Sequence, residues 1–242
     1  ALMLMASLCS VLASLICLFL VEDGPYQAKS VHFDWRACGR AFANRGVRLA
    51  NFGYLGHQWE LYAAWTWIPL FLAQSFHSAD LAEASHSAAL CSFAVIGIGG
   101  LGSVLGGILA DRYGRTLIAI VSMAISGSAC LVVGLLFGGN PYLLVGLCLV
   151  WGIFIVADSA QFSTCISELS EPAYLGTTLT IQTCIGFLLT LITIRLVPYW
   201  VEILSWRWAF APLALGPALG IIAMYSLRQS PAIAKIGGER TT

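Results

Sequence analysis

Gly107-Ile108-Leu109-Ala110-Asp111-Arg112-Tyr113-Gly114-Arg115 packs an acid and two guanidiniums between two helix-length runs that carry no charge. No Asp, Glu, Lys or Arg occurs from Ala84 to Ala110, and none from Thr116 to Ala157. Each charged side chain placed at the centre of a bilayer costs about 2.5–3.5 kcal/mol or more. The turn must therefore sit at a membrane surface, where water and lipid headgroups solvate it.

Composition agrees. Hydrophobic residues make up 59% of the 242-residue chain and charged residues 10%, against about 25% charge in soluble domains. The mean hydropathy is +0.84. An ordinary soluble fold is excluded, and a formal net charge of zero argues for no nucleic-acid partner. The eight cysteines are scattered, mostly within apolar runs, without a C-x-x-C or His/Cys cluster. Neither a zinc site nor a disulfide framework is expected, and no cofactor. The pattern G-x-x-x-x-G-K-[ST] is absent, so ATP hydrolysis is not the expected energy source.

A spanning helix needs about 20 apolar residues. Seven segments qualify: 2–21, 52–76, 86–110, 116–138, 141–164, 174–198 and 206–228. Gly138-Gly139-Asn140-Pro141 divides the long uncharged region into two helices, Glu171-Pro172 precedes the sixth segment, and Pro198 is expected to close it. No stretch alternates with period two, which argues against a membrane barrel. The expected fold is all-α and polytopic. It has a membrane helix at 1–21, a basic linker at 22–51, a six-helix bundle at 52–228 and a tail at 229–242. The opening segment lacks a basic leader and a small-residue cleavage site, so it reads as a membrane helix and the chain as a fragment.

Basic residues set the orientation. Lys29, Arg36, Arg40, Arg45, Arg48, Arg112, Arg115, Arg228, Lys235 and Arg240 fall on one side, and only Arg195 and Arg207 on the other. That bias puts the charged turn, the linker and the tail inside the cell, in a multi-pass cytoplasmic (inner) membrane protein. Within the linker, Phe33, Trp35, Phe42 and Val47 alternate with Arg36, Arg40, Arg45 and Arg48. That pattern suits either a surface helix against anionic lipid or a solvated helix joining two bundles.

The motif G-x-x-x-D-R-x-G-R resembles the cytoplasmic loop of the major facilitator superfamily of transporters. The order of elements is similar to that family's sixth helix, central loop and last six helices, so the resemblance implies half of a twelve-helix fold whose N-terminal half is missing here. Glu168-Leu169-Ser170-Glu171-Pro172-Ala173-Tyr174-Leu175-Gly176 is weakly similar to a later loop of the family, with Leu175 where that loop usually has Arg. The resemblance implies a gate made of Gly107, Asp111, Arg112, Gly114, Arg115 and Asp158. In it Gly107 permits close helix approach, Gly114 the turn, and Asp111 faces a helix N-terminus or a guanidinium. Arg112 and Arg115 are expected to reach a carboxylate on a neighbouring helix, with Asp158 the natural partner of Arg115.

Polar residues inside apolar spans are the other candidates. Glu60 lies about 13 Å from Asn51 along its helix, a depth at which a carboxylate faces a cavity or a partner. His57 shares its face, and Trp59, Trp65 and Trp67 stand close by. Gln161 follows Asp158 by one turn, and Gln182 sits in the Thr-rich sixth span. Each has a plainer role as a packing, belt or interhelix bonding residue. The glycines Gly97, Gly99, Gly100, Gly102 and Gly106 read as a close-approach face. The expected function is secondary active transport of a small solute by alternating access, coupled to an ion gradient, with the lipid bilayer and the missing half as partners. A non-transporting receptor of the same fold is the main alternative. A membrane enzyme is disfavoured because His32, His57, His77 and His86 are dispersed.

Overall fold

A computed structural model describes residues 2–21, 39 and 42–239. The chain divides into two units, Ala1–His32 and Phe33–Thr242. The described part of the first is one helix, α1 (Leu2–Leu20), uncharged and apolar but for three serines.

The second unit is helical. Its elements are α2 (Arg45–Ser78), α3 (Ala84–Gly97), α4 (Gly99–Tyr113), α5 (Arg115–Val132), α6 (Pro141–Ala157), α7 (Ser159–Leu169), α8 (Leu175–Trp208) and α9 (Leu215–Arg228). Pairs α3–α4 and α6–α7 are each one span broken at Ile98 and Asp158. Six helices among the described residues are long and apolar enough to cross a membrane. The expected span at 52–76 is not one of them. It is part of α2, whose 34 residues, about 51 Å at 1.5 Å each, provide the length but carry too many polar side chains.

That helix is polar because it is enclosed. It packs against α3, α6, α7, α8 and α9. It begins at Arg45 rather than after residue 51, because Asn44 caps it by accepting from Gly46 N (2.9 Å) and Val47 N (3.3 Å). The expected linker therefore ends earlier. Val47, read as part of an amphipathic linker, is core. Phe33, Trp35, Arg36 and Arg40 lie outside the described residues. Two buried clusters run along α2, one around Phe71, Trp151 and Phe210, the other around Met123, Phe162, Met224 and Ile236.

Two further boundaries moved. Pro198 does not end the sixth span: α8 continues to Trp208, with its break in the backbone at Ser205 (φ 57°). The last helix consequently starts at Leu215 after a 3-10 turn, Ala211–Ala214, rather than at residue 206. Asn140 and Pro141 behave as expected. The Asn140 side chain caps Tyr142 N and Leu143 N, and Pro141 opens α6.

The glycine face divides into two classes. Gly99, Gly102 and Gly106 lie against Val156, the Ile153 carbonyl and the Ala157 carbonyl, so α4 and α6 meet backbone to backbone. Gly97, Gly100 and Gly107 have nothing within 4 Å of where a Cβ would go among the described residues, so no close approach within this unit uses them. Gly106→Val should lower thermal stability in detergent by about 1–3 kcal/mol through overpacking. Gly100→Ala should be neutral or slightly stabilising, since it adds helix propensity in open space.

Candidate functional site

Two polar networks, one turn apart on α2, join that helix to the rest of the bundle. In the deeper one, Glu60 is 1% exposed and lies about 22 Å from the start of α2. Its Oε1 accepts from Trp151 Nε1 (2.6 Å) and Cys130 Sγ (3.2 Å), and its Oε2 from Ser126 Oγ (2.9 Å). Three donors from α5 and α6 thus converge on one carboxylate. A buried carboxyl group has no solvent to satisfy it, so these bonds make Glu60 a tie between three helices.

In the second network, His57 Nδ1 lies 2.9 Å from Asp158 Oδ1, with both side chains almost fully buried. The other ring nitrogen, Nε2, lies 3.1 Å from Ser159 Oγ. Asp158 occupies the break between α6 and α7, where its carbonyl accepts from Gln161 N (2.9 Å). Phe162 packs its ring against His57 and Tyr54 (centroids 5.6 and 6.3 Å). Next to this pair, Gln58 Nε2 donates to Tyr54 OH. Gly186 of α8 leaves room for both the Tyr54 ring and the Gln58 side chain. Ser163 Oγ donates to Gln182 Oε1 at 3.5 Å. Gln58 Oε1, Gln161 Oε1 and Gln182 Nε2 are buried without a hydrogen-bond partner among the described residues.

The charged turn lies at the end of the bundle where α4 stops and α5 begins. Arg115 reaches Asp111 (3.4 Å) and Glu168 (3.3 Å). Gly114 adopts φ 99°, a conformation that favours glycine.

Compared with known protein families, residues 50–241 match the family model described as Major Facilitator Superfamily. The chain belongs to the major facilitator superfamily. No match to an individual curated protein was found. Members of this superfamily are membrane transporters, so the bundle is that of a multi-pass membrane transporter.

Within that family framework, the expected gate needs correction in three places. Asp158 is not the partner of Arg115. It is taken by His57, and Arg115 pairs instead with Glu168 in the last turn of α7. Arg112 reaches no carboxylate among the described residues. It is exposed, with its guanidinium 5.3 Å from the Tyr113 ring centroid. Asp111 has a side chain 72% exposed and, among the described residues, its one ion pair is with Arg115, one turn along the chain. The N-terminus of α5 is occupied by another carboxylate, that of Glu239.

The tryptophans also differ from one another. Trp59 Nε1 donates to Pro212 O (3.3 Å) and Trp67 Nε1 to Ile194 O (2.9 Å), so both are tied to the backbone. Trp65 stacks edge-on against Tyr62, with its Nε1 buried and without a hydrogen-bond partner among the described residues. Thr190 and Thr193 of α8 bond carbonyls of their own helix, Phe187 O and Thr190 O. Sequence reasoning missed Ser126, Cys130 and Trp151 as partners of Glu60. These residues lie 66 to 91 positions away along the chain, and nothing local marks them.

Glu60→Ala should remove both accepting oxygens and strand three buried donors, lowering stability by about 2–4 kcal/mol. Thermal unfolding of the purified protein in detergent, compared with Glu60→Gln, measures this. Glu60→Gln should lose less, because it keeps an acceptor at the same place.

Proposed function

We propose that this bundle works as one half of a secondary active transporter that moves a small solute across the cytoplasmic membrane by alternating access, driven by an ion gradient. The charged turn would face the cytoplasm, as the basic-residue bias favours. The observation that carries the reading is the buried His57–Asp158 pair at a helix break. An ionisable pair inside a membrane bundle is costly, and marks an ion or substrate path more often than a structural tie. Here the pair joins α2 to the junction of α6 and α7. Movement of that junction would therefore be coupled to the charge state of the pair.

Glu60 serves this reading as an anchor rather than as the coupling group, because its oxygens are already engaged by three donors of the bundle itself. His57 and Asp158 have Ser159 beside them, half-buried, with Ala160 exposed on the next residue. The unpartnered amide atoms of Gln58, Gln161 and Gln182 supply hydrogen-bonding capacity in the same part of the bundle.

The test uses the full-length carrier in vesicles, with a pH-sensitive dye inside and a panel of small solutes outside. Wild-type protein should show solute-dependent proton movement and gradient-driven accumulation. Asp158→Asn should lose accumulation at least tenfold while keeping solute exchange without a gradient. Gradient-driven accumulation unchanged in Asp158→Asn would refute the coupling role. A wild-type protein that moves none of the solutes would favour a receptor built on this fold.

A further inference from the structure

The four residues Ile236, Gly237, Gly238 and Glu239, beyond the last helix, take no part in a solute path and had no role in the gate expected from sequence. Gly238 and Glu239 nevertheless meet the charged turn directly, and Ile236 and Gly237 anchor the segment on the core and the helix beside it. Ile236 is buried in the cluster with Met224 and Leu227. Gly237 N donates to Glu168 Oε2 (2.8 Å), the same side chain whose Oε1 pairs with Arg115. Gly238, at φ 76°, lies against the carbonyls of Ala110 and Asp111, where a Cβ would crowd both. Glu239 ends the series with its side chain 1% exposed.

The contacts of Glu239 are the informative ones. Its Oε1 accepts from Thr116 N (2.7 Å) and from Thr116 Oγ1 (2.6 Å). Its Oε2 accepts from Arg228 Nη1 (3.0 Å), which also donates to Thr116 Oγ1 (3.1 Å). The side chain of α5's own cap residue, Gly114, offers no acceptor, so the N–H groups of the first turn need one from elsewhere. A carboxylate delivered by a segment 123 residues away along the chain fills that place and meets the positive end of the helix dipole. Gly114 is required on two counts: its positive φ, and the space that the Glu239 carboxylate occupies.

We infer that the segment 236–239 is a clasp on the charged turn, with Glu239 as its positioning residue. Its effect is to decide which charges the turn presents. Glu239 and Glu168 engage Arg228, Arg115 and Thr116, and this leaves the exposed Asp111 and Arg112 as the charges available to another bundle. The clasp is held by one apolar side chain and a few polar bonds, so it sits at the low end of local stability and can open without unfolding the helices. Its relevance to gating rests on the transporter reading above; its existence does not.

Hydrogen exchange of the full chain in lipid nanodiscs, read at Thr116 and Gly237, tests the clasp without needing a solute. Tryptic cleavage after Arg112 and Arg115 is followed in parallel. Glu239→Ala should raise exchange at both amides and speed cleavage roughly fivefold, the size expected for loss of a helix cap, with the unfolding temperature of the bundle unchanged. Glu239→Gln should fall between wild type and Ala, since it keeps an acceptor but loses the charge. Exchanging the partners, with Glu239→Arg and Arg228→Glu together, should not restore protection, because a cation then faces the α5 N-terminus. The inference is overturned by unchanged exchange at Thr116 in Glu239→Ala, or by full rescue in the exchanged pair, which would make this a simple ion pair. A drop in unfolding temperature that accounts for all the added exchange also overturns it. Transport failure in vesicles with the exchange pattern intact would count against the transporter reading alone.

Discussion

Inside this bundle a polar side chain has no water to turn to, and the whole arrangement of α2 follows from that. The helix carries Asn51, His57, Gln58 and Glu60 into positions where all four are buried. Each polar group has to find a partner among its neighbours or remain unsatisfied at a cost of about 1–3 kcal/mol. Glu60 draws α5 and α6 in through Ser126, Cys130 and Trp151, and His57 draws in the α6–α7 junction through Asp158 and Ser159. Lipid tails are as apolar as Leu, so apolar contact alone holds such helices weakly, and directional polar bonds and close packing set their register.

The two networks share a helix yet differ in kind. The Glu60 oxygens are saturated by donors that belong to the core, and such a centre is stiff. The pair of His57 and Asp158 sits at an interruption, where α6 stops and α7 starts. Gly152 meets the Val95 carbonyl, and Gly102 and Gly106 meet the carbonyls of Ile153 and Ala157, so α3–α4 lies directly against the segment leading into that interruption. A tightly packed, glycine-seamed wall beside a broken helix concentrates any bending at the break, since packed interiors transmit strain rather than absorb it. The proposed coupling of charge to shape rests on the placement of an ionisable pair there.

At the charged end, a different economy operates. Arg115–Glu168 ties the α4–α5 turn to the end of α7, and Arg228–Glu239 ties the end of α9 to the segment that caps the turn. Pairs of this kind, when partly exposed, contribute little stability singly. Their value here is positional: with Thr116 N capped and Gly114 filled against, the turn has one geometry and presents Asp111 and Arg112 outward.

Much was legible in the chain itself. The uncharged runs either side of Asp111–Arg115 dictate spanning helices, since no other backbone arrangement survives in lipid. The nine-residue turn between them resembles one family closely enough that the match over residues 50–241 agrees with it. Asn140-Pro141 announces a helix start through local bonding alone. Pairings that join distant segments were decided only by the tertiary structure. Arg115 stands near Asp111 in sequence, but its choice of Glu168 over Asp158 depends on how α7 is rotated, which periodicity does not reveal. Pro198 looked like a terminator, yet α8 continues through it. Glu239 looked like part of a solvated tail, and became a helix cap because folding brings it to unpaired amides 123 residues distant. Hydrophobic pattern selects elements because it acts over one or two turns; the partners of buried polar groups depend on which faces meet, and only the assembled bundle determines that.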